Sequence, residues 1–370
     1  MHKYEPQPKN ESGQSSAMTQ SAKGVAKVAI VGARGYAGVD LARILLRHPA
    51  VQLSACFAGE SAFSLESYLP EESAKSVQIL PVSEITQHLS GLKAVFLATP
   101  AEASADLASK ILSANADVKV IDLSGAFRLD AEGTKKWYGL SENPYLAQAH
   151  YGLVPWSGPY SKETRLISNP GCYATATLMA ILPLLKAGVI DPRTLVVDAK
   201  SGATGAGRKA SENLLFCEVE GECLPYRIGK HQHVPEIVRY VEKFTGASID
   251  PVFATHLLPI RRGILASVYA RTTKSFSNED IASIYNEAYS HYPLVRHGLA
   301  TDQNRAHLSL KRISGSARTE IRYLIDGDKL HVFSLIDNLL KGAASQAVEN
   351  LNRILDLPVS TGLKELEGTL

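Results

Sequence analysis

Several things are scarce in this sequence, and each shortage removes a class of function. There are 4 cysteines in 370 residues, Cys56, Cys172, Cys217 and Cys223, too few and too scattered for a disulfide framework. None of them forms a Cys-x-x-Cys pair, so the pattern of a zinc knuckle or a dithiol redox site is missing. Such thiols fit a reducing, cytoplasmic setting. Cys217 and Cys223 flank a short acidic stretch containing Gly221 and could pair, but two unpaired thiols are the simpler reading. Net charge is nearly absent as well. The 39 basic and 37 acidic side chains leave +2, which offers little to nucleic acid or to an anionic membrane surface. No apolar run reaches the length of a bilayer span, and no internal repeat is visible. Neither nucleic acid nor a membrane is expected as a partner.

At 370 residues the chain exceeds what one hydrophobic core usually serves, so two domains are expected. Residues 1–25, rich in Ser, Gln, Lys and Asn, carry too few apolar side chains to order themselves and read as a loose tail. Glu5, Glu11 and the lack of any arginine before Arg34 argue against a transit peptide.

The most informative stretch is SNPGCYATATLMAILP, residues 168–183. Free cysteine is usually a small core hydrophobe, but Cys172 follows a Pro-Gly turn and opens a run with Leu178, Ile181, Leu182 and Leu185 at helical spacing. A thiol at a helix start faces unpaired backbone N–H groups and the positive end of the helix dipole. Both favour the thiolate, so a nucleophile is expected.

Residues 27–33 (KVAIVGA) read as a strand entering a glycine turn, residues 36–47 as a helix, and residues 51–57 as a second strand, together one βαβ unit. Further apolar runs at 94–98 and 118–123 enclose a helix near 103–112, the alternation of a parallel sheet covered on both faces. Beyond residue 169 the strand-like runs at 194–199, 264–270 and 321–325 change character. The fold class read from this is α/β: a Rossmann-type parallel-sheet domain plus a second α+β domain with a mixed or antiparallel sheet. A tail at 1–25, a nucleotide domain at 26–168 with 339–370, and a catalytic domain at 169–338 are the expected divisions. The last helix, 339–355, is expected to pack back on the first domain.

GARGYAG, residues 32–38, places Gly32, Gly35 and Gly38 between strand and helix, where glycine lets a pyrophosphate approach the backbone and a helix N-terminus meets its charge. An NAD enzyme is expected to carry an acidic residue at the end of the second strand. Here Cys56, Phe57, Ala58 and Gly59 precede a late Glu60 beside Ser61, and Arg34 in the turn suits a 2′-phosphate. NADP is the favoured coenzyme, with Glu60 leaving NAD open.

HQHVPEI, residues 231–237, supplies His231 and His233 as proton carriers for attack on a carbonyl. A His-x-His pair can also chelate zinc, but no cysteine or carboxylate cluster stands at ligand spacing, so no metal is expected. A structural role for either histidine, and either one as shuttle, stay open. SGATGAGRKA, residues 201–210, has the composition of a loop that folds over a ligand and ends in Arg208, whose planar fork suits a carboxylate or phosphate. Arg128 in DLSGAFRL and Arg262 in PIRRGIL are the other candidate anion anchors.

Together these motifs resemble the N-acetyl-gamma-glutamyl-phosphate reductases of arginine biosynthesis, within the wider aspartate-semialdehyde dehydrogenase-like group. The cysteine signature at 167–183, GARGYAG, DLSGAFR, SGATGAGR, HQHVPEI and DNLLKGAA at 337–344 carry the resemblance. It departs in having Ala33-Arg34 where Ala-Ser is common, and His-Gln-His where His-Arg-His is usual. The resemblance implies NADPH-dependent reduction of an acyl phosphate to a semialdehyde through a thioester on Cys172, in a homodimer or homotetramer joined through the second domain. On motifs and resemblance together, Cys172, His231 and His233 are catalytic. The coenzyme falls to Gly32, Arg34, Gly35, Tyr36, Ala37, Gly38, Ser61, Ser124, Gly202 and Asn338. The substrate falls to Arg128, Asn169, Arg208, Glu236 and Arg262. Aspartyl phosphate, a carrier-linked aminoadipyl phosphate and a non-catalytic NADP-binding regulator are the competing readings.

Overall fold

The computed structural model describes residues 25–59 and 63–364. The expected tail, apart from Val25, and both Glu60 and Ser61 lie outside the described residues. The first sheet comprises β1 (Ala26–Val31), β2 (Val51–Ala58), β3 (Gln78–Pro81), β4 (Leu92–Leu97), β5 (Lys119–Asp122), β6 (His150–Tyr151) and β7 (Leu166–Ser168). It is parallel throughout, in the order β3-β2-β1-β4-β5-β7-β6. Its direction of winding reverses between β1 and β4, the crevice in which open parallel sheets bind ligands.

Alternation along β1 shows why its residues form a central strand. Val28 and Ile30 join one hydrophobic cluster, while Ala29 and Val31 join another on the opposite face. Helix α1 (Tyr36–Leu46) buries Leu41, Ile44 and Leu45, and α2 (Ala101–Ala114) buries Leu107 and Ile111. A shorter helix, α3 (Ala131–Tyr138), is capped by the Asp130 side chain and closed by Gly139 in the left-handed region.

Helix α4 (Cys172–Lys186) links the two sheets, and every side chain from Tyr173 to Leu185 is buried. A helix apolar on all sides belongs in the centre of a molecule. It packs on α6 (His233–Thr245), α7 (Asn278–Tyr289) and the second sheet, whereas α5 (Phe216–Val219) and α8 (Leu310–Ile313) are single turns. The second sheet holds β8 (Val196–Gly202), β9 (Leu224–Pro225), β10 (Val252–Leu258), β11 (Ile264–Arg271), β12 (Val295–Leu299), β13 (Thr319–Asp326) and β14 (Lys329–Ile336). Its order is β12-β13-β14-β11-β8-β10-β9. The pairs β8–β10 and β12–β13 are parallel and the others antiparallel, so the sheet is mixed.

The C-terminal segment differs from a plain helix over 339–355. Leu340–Ala344 form a π-turn, and only then does α9 (Ser345–Ile354) begin, packing on α1 and β5. An apolar stripe explains only part of it, because Ser345 to Asn352 are buried all round. Several buried polar groups find partners: Gln346 donates to the Gly152 carbonyl at 2.9 Å and Asn350 to Asn169 Oδ1 at 3.0 Å. Lys341 is buried against Glu349 at 2.9 Å and donates to the Tyr292 hydroxyl at 2.7 Å. All four cysteines are free, with Cys217 and Cys223 exposed.

Candidate active site

Strand β7 ends beside β5, the chain passes through Asn169, Pro170 and Gly171, and Cys172 opens α4. The nucleophile expected from sequence therefore stands at the carboxyl end of the parallel sheet. Gly171, as N-cap, has no side chain to cap the helix, and the first turn holds no acidic residue. Its own N–H donates to Glu236 Oε1 at 2.8 Å. A Cβ on Gly171 would lie 2.3 Å from His233 Nε2 and 2.8 Å from Arg128 Nη1. Only glycine lets the backbone run this close to the imidazole. On the other side, a Cβ on Gly342 of the π-turn would lie 2.7 Å from Cys172 Cβ.

Glu236 is fully buried and organises what lies behind the turn. Oε1 also accepts from the Tyr151 hydroxyl at 2.8 Å, and Oε2 lies 3.7 Å from Arg128 Nη1. Arg128 donates from Nε to the Asn169 carbonyl at 2.9 Å and from Nη2 to the Leu123 carbonyl at 2.8 Å. Asn169 in turn donates to the Ala343 carbonyl at 3.1 Å. Arg128, Asn169 and Glu236 thus form a buried frame that holds the cysteine turn. Burial acts against the Arg128 cation, but Glu236, Tyr138 and Asp122 together outweigh it and keep the guanidinium charged.

Cys172 lines a cavity of about 760 Å³ together with Tyr173, Ser201, Gly202, Tyr226, Arg227, His231 and His233. The ring centres of His231 and His233 lie 4.9 Å apart, and the His233 backbone N–H donates to His231 Nδ1 at 3.1 Å. Tyr173 presents an edge to each ring at 5.3 and 5.9 Å. His231 is pushed down to about 4 by burial and then by Arg227. His233 falls well below 6.5 through burial, His231 and Arg128. Both imidazoles are therefore neutral at neutral pH and able to accept a proton.

Burial works against the expected resting thiolate. Cys172 is half-buried and lines the cavity, and burial pushes its thiol up to about 11. Arg128 and the backbone N–H groups of Tyr173 and Cys172 pull the other way and are outweighed. The helix start stabilises the thiolate, but the cost of desolvating a charge is larger.

Similar proteins agree on what this arrangement belongs to. The semialdehyde dehydrogenase NAD-binding domain matches residues 27–162, and the semialdehyde dehydrogenase dimerisation domain matches residues 172–338. The N-acetyl-gamma-glutamyl-phosphate reductase of Geobacillus stearothermophilus is 39% identical over 345 residues, covering 92% of this chain and 98% of the relative. That of Bacillus cereus strain AH187 is 36% identical over 349 residues, covering 92% and 99%.

The chain belongs to the N-acetyl-gamma-glutamyl-phosphate reductase family.

The fold is shared more widely. Aspartate semialdehyde dehydrogenase II from Vibrio cholerae superposes with a TM-score of 0.67 at 18% identity, covering 89% of this chain and 98% of that one. The Candida albicans aspartate semialdehyde dehydrogenase, solved with NADP, gives 0.66 at 14% identity, covering 90% and 99%. The two domain models matched by this reductase family member adjoin across residues 163–171, the segment that delivers Cys172.

The dinucleotide turn fits its purpose sterically. Gly32 has φ +87°, and a Cβ there would lie 2.5 Å from the Ala98 carbonyl oxygen. A Cβ on Gly38 would lie 2.3 Å from the Gly32 oxygen. Gly35 caps α1 without a side-chain bond and no acidic residue follows in the first turn, so the N–H groups of Tyr36, Ala37 and Gly38 suit a pyrophosphate.

Other expected site residues have partners of their own. Ser124 donates from Oγ to Asp122 Oδ2 at 2.9 Å in the loop after β5. Gly202 lines the Cys172 cavity. Asn338 accepts from the Gly263 N–H at 2.8 Å and donates to Thr204 Oγ1 at 3.1 Å, bracing the glycine loop. Arg262 is held by Asp40 at 2.7 Å and by Asp337 at 2.9 Å, a tie from the second sheet to α1. Arg208 lies at the nucleotide turn, donating to the Arg34 carbonyl at 3.1 Å. Among the described residues, neither arginine lines the Cys172 cavity.

Sequence reasoning missed Tyr173, Tyr226 and Arg227. The Tyr226 hydroxyl donates to that of Tyr173 at 2.9 Å. Arg227 adopts φ +49°, uncommon for a non-glycine residue, and brings a cation to the cavity. No spacing signals them; only Tyr173, adjacent to Cys172, could have been named by position.

Proposed function

We propose that this protein reduces N-acetyl-γ-glutamyl phosphate to the semialdehyde and phosphate with NADPH, a step of arginine biosynthesis. The observation that carries the proposal is Cys172 at the start of α4 on one cavity wall, with His233 Nε2 packed against the preceding glycine. The sulfur attacks the acyl carbon, the carbon–oxygen bond to phosphate breaks, and a thioester forms. His233 takes the thiol proton and passes it to the leaving phosphate oxygen. His231 is the positioning partner, since its Nδ1 accepts the backbone N–H of His233 and so fixes the start of α6 from which the His233 ring projects. Backbone N–H groups at the start of α4 stabilise the tetrahedral oxyanion.

A nicotinamide coenzyme, when bound, supplies the hydride that reduces the thioester carbon. The aldehyde then leaves, and the sulfur regains a proton from solvent through the same imidazole. Gly32, Gly35 and Gly38 would hold the pyrophosphate, with Ser124, Gly202 and Asn338 toward the nicotinamide end. Arg34 and the lack of a carboxylate over Phe57, Ala58 and Gly59 support NADP over NAD. Residues 26–168 with 339–370 form the coenzyme unit and 169–338 the catalytic unit. Pairing through the matched dimerisation domain gives a homodimer or homotetramer, and free surface thiols suit the cytoplasm.

A reverse assay with the semialdehyde, phosphate and either NADP or NAD tests substrate and coenzyme together. Cys172→Ser is expected to abolish turnover while coenzyme still binds. Retained turnover in that variant removes the covalent step.

A further inference from the structure

Arg208 belongs to the catalytic unit by sequence and to the coenzyme crevice by position. Its loop is anchored at the base. The Ala203 N–H donates to the Ile260 carbonyl at 2.9 Å, and the Thr204 N–H to the Arg261 carbonyl at 3.2 Å. A Cβ on Gly202 would lie 2.7 Å from the Arg262 nitrogen, so the loop leaves β8 hard against the neighbouring segment. From that footing Arg208 reaches the other sheet. Its Nη1 donates to the Arg34 carbonyl at 3.1 Å, and its guanidinium carbon lies 4.7 Å from the Tyr68 ring centre and 6.0 Å from that of Tyr36.

These three contacts locate the guanidinium. Arg34 lies in the turn after β1, Tyr36 begins α1, and Tyr68 belongs to the segment after β2. In a nucleotide-binding parallel sheet the adenosine ribose lies beyond the end of the second strand, where a carboxylate reads a 2′-hydroxyl or an arginine accommodates a 2′-phosphate. The described end of β2, through Gly59, offers no carboxylate. A guanidinium has five N–H donors in a fixed fork, and the Arg34 carbonyl engages one nitrogen. Stacking over tyrosine rings steadies the fork without consuming its donors. Lys209, Arg261 and Glu220 line the same recess, of about 510 Å³, so the cations outnumber the one carboxylate.

We propose that Arg208 binds the 2′-phosphate of the coenzyme, so that a side chain of the catalytic unit determines the choice between NADPH and NADH. This rests on the NADP reading above. It separates Arg208 from the substrate site, because the reacting acyl phosphate belongs beside Cys172, in a cavity that Arg208 does not line among the described residues. Residues of both units would thereby hold the coenzyme at its adenosine end.

The test is calorimetric titration of wild type and Arg208→Gln with 2′,5′-ADP and with 5′-AMP, ligands that differ only in the 2′-phosphate. Wild type is expected to bind 2′,5′-ADP more tightly. Arg208→Gln is expected to lose roughly ten- to a hundredfold in that affinity, the range for hydrogen bonds to a charged group, with 5′-AMP unchanged. Arg208→Lys is expected to recover part of the loss, and KM for the acyl phosphate to stay at the wild-type value. Equal weakening of both nucleotides, or a rise confined to KM for the acyl phosphate, would overturn the proposal. Wild type that fails to distinguish the two nucleotides refutes the NADP reading itself. Discrimination that survives in Arg208→Gln refutes Arg208 alone.

Discussion

Iodoacetamide offered to the resting protein at neutral pH is expected to modify Cys172 slowly. The thiol stands at about 11 instead of its ordinary 9.0, raised chiefly by burial. At pH 7.5 roughly one molecule in 3,000 then carries the thiolate, against about one in 30 for an unperturbed thiol. Alkylation follows the thiolate population, so Cys172 lags an ordinary thiol by about a hundredfold. Peptide mapping by mass spectrometry at a series of pH values reads this directly, with the exposed Cys217 and Cys223 as controls on reagent activity in the same chain. The Cys172 rate is expected to climb about tenfold per pH unit until the pH nears the thiol's own value. Charge provides a second arm. Glu236 raises the thiol and Arg128 lowers it, so Glu236→Gln should speed labelling at fixed pH. A plateau below about pH 8, or Cys172 outrunning both surface thiols at neutral pH, refutes the reasoning.

Two further perturbations test the packing around the sulfur. Gly171→Ala puts a methyl 2.3 Å from His233 Nε2; displacing the imidazole is expected to lower kcat by about a hundredfold, the range for a lost acid–base group, with far less change in coenzyme affinity. Steady-state kinetics beside a coenzyme titration would expose an error here as equal losses in both. Lys341→Met leaves Glu349 buried without its cation and should cost about 3–5 kcal/mol in urea unfolding. Lys341→Met with Glu349→Met should recover much of that, and an additive double variant would show that the two groups are not coupled.

The coenzyme half of the fold was legible because its signals are local. Strand β1 and α1 lie within two residues of their expected bounds at each end, since an apolar run, a glycine turn and a helical stripe each declare themselves within a dozen residues. Cys172 and the paired histidines were legible for the same reason. What sequence could not supply is the outcome of opposing long-range terms. The helix start argued for a thiolate, and burial beside Gly342 of the π-turn, more than a hundred residues on, works against it. Arginine assignment failed to resolve for a related reason. Arg208 and Arg262 stand in similar glycine-rich surroundings, and their partners, Arg34 in one case and Asp40 in the other, are more than a hundred residues away in the chain. Helix α9 was expected to show one apolar face; the side-chain amides of its buried Gln346, Asn350 and Asn352 donate to backbone and side chains that no periodicity names.

A thiol raised to about 11 beside imidazoles lowered below their ordinary range makes proton transfer uphill in the resting site. The proposed substrate changes that balance, because its phosphate carries negative charge into a cavity lined by His231, His233 and Arg227. An opposite charge within about 4–6 Å favours the protonated imidazole by roughly 1–3 pH units. The anion that brings the electrophile therefore also strengthens the base. Proton removal and carbon–sulfur bond formation then proceed together, with no thiolate standing exposed beforehand. The same balance protects a buried sulfur from alkylation and oxidation while the cavity holds no anion. Inorganic phosphate added to the labelling assay isolates this effect, since it supplies the charge without the electrophile. Faster modification of Cys172, with Cys217 and Cys223 unaffected, is the expected result, and an unchanged rate would leave the rise in basicity to the acyl group or to the coenzyme.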